Sequence, residues 1–480
     1  MSLSKKIFGV GAWTAASRVL GFARDVLIGR VLGAGRLSDI FLAAFKLPNL
    51  FRDLLGEGAM SSVFIPMFSR EKKSADFAAN ALAWLLVILL ALTLLFEIFM
   101  PLVMLGIAPG FDAEKMAAAV HIGRVMFVYI ILVCSAGFLS AILNAFSDFA
   151  VAAAVPLVLN VALILSVLSF GADLTALAVA VLIAGVVQIA ILAARLRRRN
   201  FGLKLVRPRW NPLIKTMTRR MGWGFLGSGF YQLNVIVGVI VASYQSGAVS
   251  WLYYADRMVQ LPFAVVGLAA GTILLTKISD AISADKMDAV GKYQSAAMRQ
   301  SLMFILPAMF GLIALSEPMI RFLFERGAWT ADATTAVAMA IMIGALALPA
   351  MTTSQIYLKT IYASGDAKTP VKVGAITLGF GVAVMVALAP EIGYLAVPVG
   401  TLASGLCRNF WLRRICVRRG LWRGRANVGA FWVLSLAMGA GLWFARPMIT
   451  GLIPLAIAIA AAAIIYLPSA LFCDKIAKKN

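Results

Sequence analysis

Apolar stretches of about 20 residues, each long enough to cross a hydrocarbon core as a helix, recur along the whole chain. No water reaches such a core, so a spanning backbone must satisfy its own hydrogen bonds, as a helix or as a closed barrel does. The runs are too long for barrel strands, which leaves an all-α integral membrane fold. Spans are expected near 7–33, 37–68, 77–106, 116–146, 150–170, 174–196, 220–245, 249–279, 289–316, 330–363, 369–389, 393–416, 427–446 and 450–472. Only 14% of the 480 residues are charged and no stretch is polar enough for a separate soluble domain. The first run follows Lys5 and Lys6 as a signal peptide would, but Arg18 interrupts it and no small-residue cleavage site follows, so it reads as a retained helix.

The formal charge of +23 would point to nucleic acid in a soluble protein. Here it follows the membrane instead. With the N-terminus in the cytoplasm, inner segments carry 29 Lys and Arg, while outer segments carry five: Arg36, Lys115, Arg321, Arg326 and Arg446. Basic residues collect on the cytoplasmic side, which places both termini inside and excludes a nucleic-acid role. The Arg-rich linkers 195–220 and 408–425 could also hold anionic lipid headgroups. Cys134, Cys407, Cys416 and Cys473 lack paired spacing, and a single histidine, His121, cannot supply a multi-histidine metal site. No phosphate-binding loop, dinucleotide fingerprint or zinc motif is present.

The basic linker after the sixth span divides the first twelve spans into two sets of six. LNAFSDFAVAAAVP (143–156) can be laid on IYASGDAKTP (361–370), matching Asp148 with Asp366, and SSVFIPMFS (61–69) on GTILLTKIS (271–279). Both units run in the same direction, which predicts parallel lobes around a central cavity. The expected division is 1–196 for the first lobe, 197–219 for the linker, 220–425 for the second lobe, and 426–480 for two further helices and the tail.

Ionisable groups inside spans cost about 2.5–3.5 kcal/mol each at a helix centre, so they face a cavity or one another. Span one carries Ser17, Arg18, Arg24 and Asp25 in SRVLGFARD. Span two carries Asp39, Lys46, Asn49, Arg52, Asp53 and Glu57 in SDIFLAAFKLPNLFRDLLGEGA, and span eight carries Asp256 and Arg257 in YYADRMVQLP. Asn49, Asp53 and Glu57 fall on one helical stripe, and Pro48, Gly56 and Gly58 weaken the helix there. Interhelical ion pairing accounts for Asp25, Lys46 and Asp53. Four arginines from three helices are better explained by a chamber for an anionic group, above all a phosphate ester, which the guanidinium fork suits.

Those three strings resemble the MurJ/MviN lipid II flippases of bacteria, and the resemblance extends over essentially the whole chain. It implies the exporter superfamily for drugs, oligosaccharide-lipids and polysaccharides, with two six-helix lobes and two C-terminal helices that form a lipid-tail groove. It further implies an inner-membrane location and lipid II, an undecaprenyl pyrophosphate bearing a disaccharide-pentapeptide, as substrate. Arg18, Arg24, Arg52 and Arg257 match the family's essential cavity arginines, and Asp39 and Glu57 its important acids, with Ser17 and Asn49 beside them. Asp39 and Glu57 are expected to keep the arginines oriented. Alternating access driven by membrane potential is implied, without enzyme chemistry or cofactor. The resemblance also admits other cell-wall synthesis proteins as partners. Some relatives bind sodium, but here span seven offers Asn234, and spans eleven and twelve offer Thr401 and no carboxylate, which argues against such a site. Three alternatives are a flippase for another polyprenyl-linked glycan, an intramembrane transferase and a non-transporting scaffold. A cation-drug exporter would place acids, not arginines, in its cleft.

Overall fold

The computed structural model describes residues 3–479 other than 54–62, 285, 367 and 425, with backbone alone at 3–10, 223–231, 265–276, 283 and 475–479. Every regular element among the described residues is helical. The order is α1 (Leu3–Leu32), α2 (Arg36–Phe51), α3 (Ile65–Arg70), α4 (Ala75–Ile107), α5 (Ala113–Phe127), α6 (Tyr129–Ala145), α7 (Phe149–Ala154), α8 (Pro156–Phe170) and α9 (Leu174–Arg198). There follow α10 (Pro212–Ser243), α11 (Ala248–Ser283), α12 (Met287–Phe324), α13 (Ala331–Leu346), α14 (Leu348–Ala363), α15 (Lys368–Ile392), α16 (Ala396–Arg418), α17 (Gly429–Ala445) and α18 (Leu452–Lys479).

Each of the fourteen expected spans is largely helical over its described residues, with non-helical ends such as 427–428 and 450–451. Several are interrupted where one continuous helix was expected. The breaks before Pro156 and Pro349 follow from proline, which lacks the N–H that a helix interior needs but suits a first turn. No proline marks the similar break at Val128. Helix starts carry side-chain caps at Ser74, Asp112, Asp173, Asn211 and Thr330, each accepting from a backbone N–H two or three residues on.

Nine segments among the described residues are long and apolar enough to cross a membrane, one of them holding both α15 and α16. Helices α1, α2, α10 and α11 are not among them, and three of these carry the ionisable strings. The outer helices show the opposite character. Phe444, Ile453, Ile464 and Ile465 of α17 and α18 are more than two-thirds exposed, as expected of side chains against lipid. Their inner faces pack with α12 around Leu315, Leu442, Ile449 and Leu455. Between α15 and α16, Gly381 and Gly400 allow close approach: a Cβ on Gly400 would lie 2.7 Å from the Gly381 carbonyl oxygen. All four cysteines are free thiols.

The chain forms two compact units, residues 1–249 with 326–329, and residues 250–325 with 330–480. Helix α10, assigned by the sequence division to the second lobe, therefore lies in the first unit. Residues 326–329 join that unit through the Ala328 amide, which donates to the Arg30 carbonyl at 2.8 Å. Gly327 takes a left-handed conformation (φ +66°) at this contact, where a Cβ would meet the same carbonyl.

The repeat has a counterpart in the ion pairs of each unit. In the first, Asp148 accepts from Arg195 and Arg199 at 2.7 and 2.8 Å, tying the loop after α6 to the end of α9. In the second, Asp366 accepts from Arg419 at 2.6 Å, tying the loop after α14 to the end of α16. Burial raises the Asp148 pKa, but the two arginine hydrogen bonds outweigh it and hold the carboxyl below its ordinary value. The Arg419 hydrogen bond, with those of Thr369, likewise holds Asp366 below its ordinary value. A folded-state pKa below the unfolded value of about 3.9 contributes stability above that pH and loses it as the pH falls toward the depressed value. The melting difference between wild type and an Asp148→Asn/Asp366→Asn double variant should therefore be level from pH 8 to pH 5 and close below about pH 4. Closure already at pH 6 would contradict the pairing.

Candidate functional site

Helix α1 has 30 residues and is therefore about 45 Å long, so Arg18 and Arg24 lie well inside it. Arg24 is buried. Its Nε and Nη2 donate to Asp25 Oδ1 at 3.0 and 2.6 Å, and its Nη1 donates to Asn160 Oδ1 at 3.0 Å. Asn160, from α8, donates in turn to the Ser17 carbonyl at 3.1 Å. The Asp25 carboxylate and the Asn160 amide thus orient the guanidinium fork. Arg18 is exposed, and among the described residues it pairs with no carboxylate.

At the end of α2 the helix widens into a π-type turn at Arg52 and Asp53, a feature frequent at functional sites. Arg52 is about one-third exposed at its side chain and donates to Asp53 Oδ1 at 3.0 Å; Asp53 Oδ2 accepts from Gln232 of α10 at 3.3 Å. The Asn49 amide donates to the Phe45 carbonyl one turn back. In the second unit Arg257 is exposed, with its guanidinium 5.4 Å from the Tyr253 ring centre and its Nη2 donating to the Tyr253 hydroxyl at 3.3 Å. Asp256 beside it accepts from Gln260.

The carboxylates Asp25 and Asp53 each accept from the arginine adjacent in sequence. The second helix contributes an amide in each case, from Asn160 and Gln232. Neither amide was picked out by the sequence, since an isolated polar residue in an apolar span carries no sign of its partner. Glu57 lies outside the described residues.

Asp39 is the acid whose surroundings differ most from expectation. It is fully buried, so it does not face a cavity here. Its Oδ2 accepts from Lys115 Nζ at 2.7 Å and from the Gly247 amide at 2.8 Å. Lys115, at 3% exposure, also sits 4.0 Å above the Phe111 ring. This is a buried ion pair joining α2 to α5. Lys115 was missed as its partner, although it is one of only five basic residues on the sparsely charged side.

Among the described residues no three His, Cys, Asp or Glu side chains come together as a metal site. The Thr401 hydroxyl donates to Val397 of its own helix.

A family model described as the lipid II flippase MurJ matches residues 28–467. The chain belongs to the MurJ lipid II flippase family. A relative from Rhizobium tropici, named a probable lipid II flippase, is 35% identical over 436 residues, which cover 88% of this chain and 82% of the relative. A Burkholderia cenocepacia protein named a lipid II flippase is 31% identical over 453 residues, covering 88% of this chain and 85% of that one. A solved MurJ flippase structure in an inward closed conformation superimposes with a TM-score of 0.82 over 97% of this chain and 99% of that one, at 22% identity. A transporter of the MATE family, in the MOP superfamily, gives 0.68 over 84% of this chain and 95% of that one, at 15% identity. These two share the fold. Membership in the MurJ family makes the chain a multi-pass membrane protein of a transport class and ties it to the cell wall, because lipid II is the peptidoglycan precursor.

Proposed function

We propose that the protein carries lipid II from the cytoplasmic to the outer leaflet of the bacterial inner membrane by alternating access of two lobes. The observation that carries the reading is Arg18: a permanent cation midway along a membrane helix, exposed, with no carboxylate partner among the described residues. Such a group needs water or an anion, and the pyrophosphate of lipid II supplies the anion. Arg24 beside Asp25, Arg52 beside Asp53, and Arg257, seated over Tyr253, offer further forks for phosphate or peptide carboxylate.

The division of labour follows from the pairings. Asp25 and Asp53 orient their arginines and compete with the phosphates, so release does not leave a bare cation. Asp39 holds α2 to α5 through Lys115. Glu57 and Asn49 complete the proposed set on α2. The charge asymmetry supports cytoplasmic termini, and the exposed apolar faces of α17 and α18 support their service as a groove for the polyprenyl tail. Potential-driven transport is energetically adequate, at about 2.3 kcal/mol per elementary charge per 100 mV. No covalent step is required.

Binding of lipid II to purified protein in nanodiscs tests the arginine reading. A charge-assisted hydrogen bond contributes about 1.5–3 kcal/mol, so Arg18→Ala should weaken binding by about ten- to a hundredfold. Unchanged affinity would remove Arg18 from the site. Equal binding of other undecaprenyl-pyrophosphate glycans would favour the broader substrate class.

A further inference from the structure

Two side-chain amides outside the arginine set do the same thing in the two halves. Asn80, in the third span of the first set, donates its Nδ2 to the Arg209 carbonyl at 2.9 Å and accepts at Oδ1 from the Arg209 amide at 2.8 Å. Gln294, in the third span of the second set, donates its Nε2 to the Leu421 carbonyl at 2.8 Å. Its Oε1 accepts from the Arg423 and Gly424 amides at 2.9 and 3.0 Å. In each half the accepting oxygen reaches a backbone amide 129 residues further along. In each half, too, the held segment follows the sixth span and lacks regular structure at the residues gripped. An aromatic contact flanks each grip, Trp84 with Trp210 at 5.2 Å and Tyr357 with Trp422 at 4.8 Å between ring centres.

An amide that satisfies both a peptide donor and a peptide acceptor substitutes for a turn of secondary structure in a segment that has none. Both side chains are buried, Gln294 completely, so water does not compete for these bonds. What each grip holds is the start of the next helix. Arg209 stands three residues before α10, and Asn211 caps that helix by accepting from the Ile214 amide at 2.9 Å. Gly424 stands five residues before α17. Helix α10 packs against α4, and α17 packs against α12. At the second grip the approach is tight enough that a Cβ on Gly291 would lie 3.0 Å from the Arg423 carbonyl oxygen.

We infer that Asn80 and Gln294 are equivalent positioning residues of the two repeats, each tying the helix that follows a six-span set to the third span of that set. Helix α10 then moves with the first unit, and α17 with the second, whenever the units move. The motion itself rests on the transport reading; the ties do not.

Spin labels in a variant lacking the four native cysteines test this. One pair, at exposed Asp76 and Lys215, reports α10 against α4, and a second, at exposed Lys292 and Ala430, reports α17 against α12. In lipid nanodiscs, Asn80→Ala should broaden the first distance distribution about twofold and leave the second unchanged. Gln294→Ala should do the reverse. Asn80→Asp keeps the acceptor for the Arg209 amide and should fall between wild type and Asn80→Ala. Lipid II turnover in proteoliposomes should drop about tenfold in each alanine variant at unaltered lipid II affinity. A distribution unchanged in its own variant would overturn the inference. So would broadening of both pairs by either variant, which is general loosening. If wild type does not turn over lipid II, the transport reading fails while the distances still decide the ties.

Discussion

Lys115→Ala should lower stability by about 3–5 kcal/mol, the largest effect expected of any single substitution away from the arginines. Asp39 and Lys115 are 0% and 3% exposed at their side chains, so deleting the ammonium takes the ion-pair partner from a fully buried carboxylate. The cost comes chiefly from leaving a buried carboxylate without its ammonium and only secondarily from the lost attraction. A double variant, Asp39→Leu with Lys115→Met, should therefore be less destabilised than Lys115→Ala alone, because it removes both charges and keeps apolar volume. Thermal melts of the purified protein, with a ligand-independent probe, read both. A loss below about 0.5 kcal/mol for Lys115→Ala, the range of an ordinary surface change, would show that water reaches the pair.

Arg18→Ala should do the opposite, removing transport while leaving the melting temperature in place. Arg18 is exposed and makes no ion pair among the described residues, so its removal orphans nothing there. If it binds a phosphate in the transported headgroup, flipping in proteoliposomes should fall by about ten- to a hundredfold, following the 1.5–3 kcal/mol of one charge-assisted contact. Arg18→Lys should recover part of the activity, since charge is kept and the fork is lost. Arg24→Ala is a poorer probe. It removes the guanidinium from which Asp25 and Asn160 both accept, so stability and transport should fall together. Full transport by Arg18→Ala would contradict the binding role.

The span pattern was legible because twenty-residue apolar runs have few alternatives in a membrane. The breaks before Pro156 and Pro349 were written in the sequence as well, but continuous hydrophobicity concealed them. The repeat was visible as a faint match of Asp148 with Asp366, and its meaning became clear only when each aspartate met arginines at the end of its own sixth span. Site pairings were harder to read. Arg24 and Asp25 are adjacent, a spacing at which helical side chains point apart, yet the long arginine stem folds back onto its neighbour. Asp39 and Lys115 lie 76 residues apart, and a lysine at a span edge looks like an ordinary loop charge. Asn80 and Gln294 gave no signal at all, because their partners are backbone groups, which any sequence supplies.

On the proposed function, this protein moves lipid II through an arginine-dependent path. The most direct test follows lipid II in cells depleted of the protein and then supplied with wild type or Arg18→Ala, using an externally added enzyme that cleaves only outward-facing lipid II. Depletion should protect lipid II from cleavage, wild type should restore access, and Arg18→Ala at equal abundance should not. Lipid II that stays accessible without the protein would contradict the substrate, and full restoration by Arg18→Ala would contradict the path.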